Sequence, residues 1–300
     1  RLVVRETEAY RLVYSDGDLL SSLLVDRYGG HVVLQTLSQG TDRLKGLWVD
    51  LLRELYDPQS ISERNDAAVR QHEALPLQKG VLAGELPDEI AIHMHGLEFG
   101  VAVLGGQKTG AFLDQRENYA AAAAYARGRV LDAFTFAGGF ALHLAPQADA
   151  VTAVDISDEA CALARRNARR NRVSNLTVVT ANVFDYLREL ERTEDRFDTI
   201  VLDPPAFVKG KAALAGAYRG YKEINLRALR LLRPHGILVT CSCSYHLPEA
   251  LFLQVLAEAA ADVGRPVRVI ERRMQARDHP YLPGVPETWY LKCLIAQVLT

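Results

Sequence analysis

From Arg129 onward the chain alternates short β-branched apolar runs with segments of helical periodicity, and that alternation constrains the fold more than any other feature. The runs are RVLDAF, AVTAVDI, LTVVTAN, FDTIVLD and GILVTCS, and between them lie stretches such as DEACALARRNARRN and YKEINLRALRLLRP. A strand that is apolar on both faces must be covered on both faces, and helices between successive strands supply the cover. The expected class is therefore α/β, a doubly wound parallel sheet. After PEALFLQVLAEAAADVG, two further strands, VRVIER and WYLKCLIAQVL, bring the count to seven, the last closing the sheet antiparallel. The run Ala120–Ala124 reads as a helix ahead of the first strand.

The first third has a different rhythm. SSLLVDRY and HVVLQTLS, split by Gly29-Gly30, predict a hairpin, and IAIHMHGLEFGVAVL predicts another around His95-Gly96. Between them, Leu44, Leu47, Trp48, Leu51, Leu52 and Leu55 repeat at helical spacing, with Thr41 or Asp42 as the expected cap and Pro58 just beyond the end. A chain of 300 residues exceeds the usual span of one domain. We expect a small mixed α/β domain over 1–85 and a larger one over 86–300 that opens with the second hairpin. The net charge of −2 supplies no global positive field, so a polyanionic partner must be met by a local patch. Four cysteines (Cys161, Cys241, Cys243, Cys293) show neither a disulfide framework nor paired metal-ligand spacing, so no metal is expected. No apolar run has membrane-spanning length and no membrane partner is expected; a cytoplasmic location is the default.

The chemistry should sit beyond the C-terminal ends of the parallel strands, where ligands of such sheets bind. VLDAFTFAGGFALHLA joins strand to helix through Gly138-Gly139, which either allow a ligand close to the backbone or simply permit a tight, closely packed turn. Asp155, ending the next strand, can accept hydrogen bonds from a ribose diol. To this point a nicotinamide dehydrogenase and a methyltransferase fit equally. Asp203-Pro204-Pro205, ending the fourth strand beside Phe207, favours the second: two prolines fix the backbone and aim a carboxylate, next to an aromatic ring, at a planar base. On the fifth strand, Val239, Cys241 and Cys243 share one face, and Thr240 and Ser242 the other. Cys241 then lies one pleat deeper, a core cysteine, while Cys243 is placed to meet Asp203. The polar, Gly-rich stretch 105–119 is either an interdomain linker or a loop that folds over the pocket. Basic residues cluster at 165–172 and 268–277; a third cluster interleaves Lys209, Lys211, Arg219 and Lys222 with Phe207, Tyr218 and Tyr221, the mixture an RNA grip would use.

GGQKTGAFLDQREN, LDAFTFAGGFAL, AVDISDEACALARRNARRN, FDTIVLDPPAFVKGK, YRGYKEINLRALRLL, ILVTCSCS and DHPYLPGVPETWYLKC occur in the order and at about the spacing found in bacterial large-subunit rRNA cytosine-5 methyltransferases of the type I class. The chain resembles that family over nearly its whole length. The resemblance implies a Rossmann-like methyltransferase sheet, S-adenosylmethionine as cofactor and large-subunit rRNA as partner. By the same resemblance, Lys108, Thr109, Phe112 and Gln115 close on the methionine end. Asp132, Phe134, Gly138, Gly139, Phe140, Asp155, Ile156, Ser157, Asn182, Val183, Asp203 and Pro205 line the rest of the cofactor site, and Arg116 joins Phe207, Lys209, Lys211, Arg219, Tyr221 and Lys222 on RNA. Cys243 is the implied nucleophile, with Asp203 on the edge of the base. Two departures stand out: no PUA RNA-binding segment is read here, and Asn182 stands where the family usually has an acid near the adenine. An exocyclic-amine methyltransferase working from the Asp-Pro-Pro turn, and a non-catalytic RNA-binding assembly factor, are the alternatives. A homodimer is compatible with the sequence.

Overall fold

The structure, a computed structural model, describes residues 3–105, 109–207 and 214–300. Its contacts divide the chain into two compact units: Arg1–Gln115 with Ala276–Thr288, and Arg116–Gln275 with Trp289–Thr300.

The first unit is built on a five-stranded sheet in sequential order: β1 (Ala9–Tyr14), β2 (Leu23–Tyr28), β3 (His31–Thr36), β4 (Ser60–Asn65) and β5 (Gln78–Gly84). Neighbours are antiparallel except β3 and β4. The expected β2–β3 hairpin is present, with Tyr28 opposite His31 and Gly29 at φ 58°, a conformation that a two-residue turn demands. The helical stretch divides into α1 (Gln39–Arg43) and α2 (Lys45–Tyr56). Its cap is Ser38 rather than Thr41 or Asp42: the Ser38 hydroxyl accepts from the Thr41 amide, and the Thr41 side chain accepts from the Ser38 amide. Only Leu52 of the periodic residues is buried; Leu44, Leu47 and Leu55 face solvent. The second hairpin, β6 (Ile90–Met94) and β7 (Leu97–Val101), turns at His95 and Gly96, both at positive φ. It is tied to the first unit, because Glu8 N donates to His93 O and Thr7 bridges to Met94. Residues 86–101 thus pack with the preceding strands, unlike a division at 85/86.

In the second unit α3 (Arg116–Ala123) leads into β8 (Arg129–Ala133), α4 (Gly139–Leu144), β9 (Ala150–Asp155), α5 (Asp158–Arg170), β10 (Leu176–Thr180) and α6 (Val183–Leu190). Then come β11 (Phe197–Leu202), α7 (Leu214–Leu231), β12 (Leu232–Ser242), α8 (Glu249–Val263), β13 (Val267–Arg273) and β14 (Lys292–Val298). The sheet order is β10-β9-β8-β11-β12-β14-β13. Strands β8 to β12 run parallel, and β14 is antiparallel to both β12 and β13. The seven-stranded doubly wound sheet is as the sequence predicts. Alternation along each strand separates two apolar layers. Leu131, Ile200, Leu202, Leu238 and Leu294 join Tyr221 and Phe252 on one face. Val130, Val201, Val239, Cys241, Cys293 and Ile295 join Tyr119 and Phe140 on the other. The strand order reverses between β8 and β11, and beyond the C-terminal ends of strands at such a reversal is where ligands of these sheets bind.

Candidate active site

The turn after β8 is the most constrained backbone in the unit. Phe134 (φ 67°) and Phe136 (φ 49°) are both left-handed, a conformation that costs a bulky residue about 1–3 kcal/mol and persists only where surroundings impose it. Asp155 helps impose it: one carboxylate oxygen accepts from Phe136 N at 2.9 Å and the other from Ser157 N at 3.0 Å. Gly138 caps α4 at φ 86°. Gly139 is glycine for a different reason than ligand approach, since a Cβ there would stand 2.5 Å from the Tyr119 ring. Phe140, buried edge-on against Tyr119, belongs to the same packing and not to a ligand site.

Asp132 lies beneath this turn, fully buried. One oxygen accepts from Thr135 Oγ1 (2.6 Å) and Ala141 N (2.9 Å); the other has no hydrogen-bond partner among the described residues. Burial pushes the carboxyl up to about 6 against its two hydrogen bonds. A buried carboxylate with one oxygen unsatisfied fits a cationic group brought within hydrogen-bond reach. At the end of β9, Ile156 is 67% exposed, an apolar surface beside Asp155 that a ring can cover. At the end of β10, the exposed Asn182 caps α6, its Oδ1 accepting from Phe184 N; Val183 is buried core. The rings of Phe134, Phe184 and Phe207 converge at centroid distances of 5.8–6.5 Å. Phe184 has no counterpart in the sequence reading; its position one residue into α6 was the available signal. These residues fit a cofactor with a cationic end, a ribose and an adenine.

Beyond β11 and β12 the Asp-Pro-Pro turn and Cys243 come together. Asp203 N donates to Ala133 O at 3.3 Å, which docks the Asp-Pro-Pro turn on the β8 end. Cys241 is fully buried, whereas Cys243, one step past β12, is half-exposed, and its thiol lies 4.0 Å from Pro204 O. Ser242 donates to Tyr221 Oη (3.0 Å), which also bonds Ser244 Oγ (3.0 Å). Lys292, which sequence reasoning passed over inside an apolar strand, is 4% exposed and opposite Ser242.

Several expected RNA contacts are placed otherwise. Tyr221 is fully buried, its ring 4.6 Å from that of Phe207, so it shapes the core instead of gripping RNA. Arg116 is also buried. Lys222 is engaged by Glu258 (3.2 Å) and Asp262 (2.9 Å) of α8. Arg219 is exposed. Thr109 is buried in the first unit, where its hydroxyl bonds Asp26 (2.6 Å) and Tyr28 (2.9 Å), so it is not free to meet a cofactor. Gln115 is buried and Phe112 half-buried within that unit, while Pro205 is exposed. Lys108, Lys209 and Lys211 lie outside the described residues.

The model of a methyltransferase domain matches residues 126–273. The ribosomal RNA large subunit methyltransferase I of Tolumonas auensis is 43% identical, covering 98% of this chain and 76% of that protein. That of Aeromonas hydrophila is 44% identical, covering 96% and 74%. The chain belongs to the ribosomal RNA large subunit methyltransferase I family. Among solved structures, one described as a methyltransferase complexed with SAH superposes with a TM-score of 0.86 at 23% identity, over 98% of this chain and 76% of that one. The fold is that of S-adenosylmethionine-dependent methyltransferases, and S-adenosylmethionine is the cofactor.

Proposed function

We propose that this family member methylates carbon 5 of a cytosine in large-subunit rRNA through a covalent adduct on Cys243. The supporting observation is the placement of a half-exposed thiol at the C-terminal end of β12, 4.0 Å from the Asp-Pro-Pro turn, while its neighbour Cys241 is sealed in the core. The curated relatives are named for large-subunit rRNA.

Bound S-adenosylmethionine supplies an electrophilic methyl group. Asp155 would hold its ribose, Asn182 the adenine edge, and Asp132 its cationic end. Cytosine C5 is too weak a nucleophile unaided. The Cys243 thiolate adds to C6, forming a carbon–sulfur bond and placing carbanion character on C5. Asp203 holds the N3/N4 edge. Once C5 is methylated, its proton leaves to a base and the thiolate departs from C6, restoring the ring. The target must be single-stranded or flipped from its stack.

RNA carrying 5-fluorocytosine cannot release a C5 proton, so the wild-type protein should be trapped as a covalent complex and Cys243→Ala should not. Bisulfite mapping should show loss of the mark with Cys243→Ala. If that variant methylates RNA at the wild-type rate, the Asp-Pro-Pro turn alone does the work, and nucleoside mass spectrometry should then show methyl on an exocyclic amine.

A further inference from the structure

A lysine buried without a carboxylate partner needs a reason, because ammonium groups are almost never fully buried unless paired. Lys292 is such a residue. It opens β14 in antiparallel register with Ser242, the last residue of β12 and the one before Cys243. Its Nζ donates to Ser244 O and Tyr290 O, both at 2.7 Å. Among the described residues it makes no ion pair with an acid. The two carbonyls fix the nitrogen beside the residue that follows Cys243 and occupy two of its three N–H groups.

We infer that Lys292 is a positioning residue that sets the ionisation of Cys243: its ammonium, pinned at the end of β12, is the counter-charge that makes the thiolate the resting form. Among the described residues, Cys243 and Glu249 are the acidic groups that act on it. Glu249, at the start of α8, is itself bonded by Arg272 at 2.6 Å. Tyr221, on α7, is held neutral by burial, pushed up to about 12. Asp203 lies next to Pro204, whose carbonyl faces the thiol.

The direction of the effect follows from these groups. Burial pulls Lys292 down to about 8, so it is still a cation at neutral pH. A cation beside a thiol lowers the thiol pKa. The proton leaving Sγ passes to water while Lys292 remains charged. As pH rises through about 8 the cation is lost, and its support for the thiolate with it.

The role in catalysis rests on Cys243 being the nucleophile; the coupling of the two side chains can be read without RNA. Alkylation of the full chain by iodoacetamide, followed across pH 5–10 by mass spectrometry of the Cys243 peptide, reads the thiolate. Cys161, Cys241 and Cys293 are fully buried and serve as unreactive references. The wild-type midpoint should lie below the ordinary thiol value of about 8.5. Lys292→Met and Lys292→Gln, the second keeping a donor for Ser244 O, should raise it by about one unit or more and slow alkylation at neutral pH about tenfold. Lys292→Arg should retain a low midpoint. A wild-type midpoint at or above about 8.5, seen also as thiolate absorbance in the difference between wild type and Cys243→Ser, overturns the inference even if every Lys292 variant fails to fold. So does an unchanged midpoint in folded Lys292→Gln. A shifted midpoint together with full RNA methylation by Cys243→Ser would keep the coupling and remove its catalytic purpose.

Discussion

At Asp132, stability and the proposed cofactor binding would be linked through one atom. Its folded-state carboxyl is raised to about 6 from 3.8, so between those values the folded chain holds more protons than the unfolded one. Stability of the ligand-free protein should therefore fall as pH rises from about 4 to 6, and be lowest above that window. A cationic ligand that bonds the unpaired oxygen reverses the cost. Asp132→Asn should raise the thermal stability of the free protein at pH 7 by on the order of 1–3 kcal/mol, while weakening S-adenosylmethionine binding at least about tenfold. Melting curves over pH 4–8 with and without cofactor, and calorimetric titration, check both halves. Lower stability and unchanged affinity in the variant would mean that the carboxylate is satisfied in some other way. Lys292 carries the same tension with the opposite charge: it is pulled down to about 8 by burial, so its native state is favoured as pH rises from there toward 10.5.

At the scale of elements, legibility followed burial. The five parallel strands were readable because each is apolar on both faces, and their order placed Asp155, Asn182, Asp203 and Cys243 at one edge of the sheet before any coordinates. Depth along the strand, one pleat on a shared face, also separated Cys241 from Cys243, and Cys241 does lie in the buried layer with Cys293 and Ile295. What the sequence concealed were contacts made by residues far apart. Tyr221 looked like a stacking platform because it sits among lysines, yet helical phase turns it inward onto Phe207 and Phe252. Lys292 drew no reading because nothing local says which carbonyls it meets. Gly139 looked like a ligand glycine, although the ring of Tyr119 from α3 is what excludes a side chain there. Gly139→Ala should thus destabilise the fold by about 1–3 kcal/mol through overpacking, with cofactor affinity of the folded fraction nearly intact. Tyr119→Leu in the same chain should recover much of that loss, a coupling that a double-mutant cycle measures. A Gly139→Ala variant that folds normally but cannot bind cofactor would return this glycine to the site.

At the scale of the whole chain, the units are not contiguous in sequence, and that was not readable from composition or periodicity. Residues 276–288 join the first unit through pairs such as Arg11 N to Asp278 (2.8 Å), Ala276 N to Asp114 O (2.8 Å) and Tyr14 Oη to Thr288 O (3.1 Å). These span up to 274 residues, beyond any local pattern. The second unit is completed only by β14, which inserts between β12 and β13. Without it β13 has no neighbour, the end of β12 has no Lys292, and one side of the β12 ladder is open. A chain ending at Thr288 should therefore lose the cooperative unfolding of the second unit, bind a hydrophobic dye, and expose the Cys241 thiol to alkylation, because an interior parallel sheet cannot tolerate an unpaired flank. Retention of cofactor affinity by such a chain would show that β8 to β12 form an independent core and that the closing strand serves only the chemistry at Cys243. Loss of both structure and binding would mean that the same strand completes the sheet and delivers the charge, so that the site cannot form before β14 is in place.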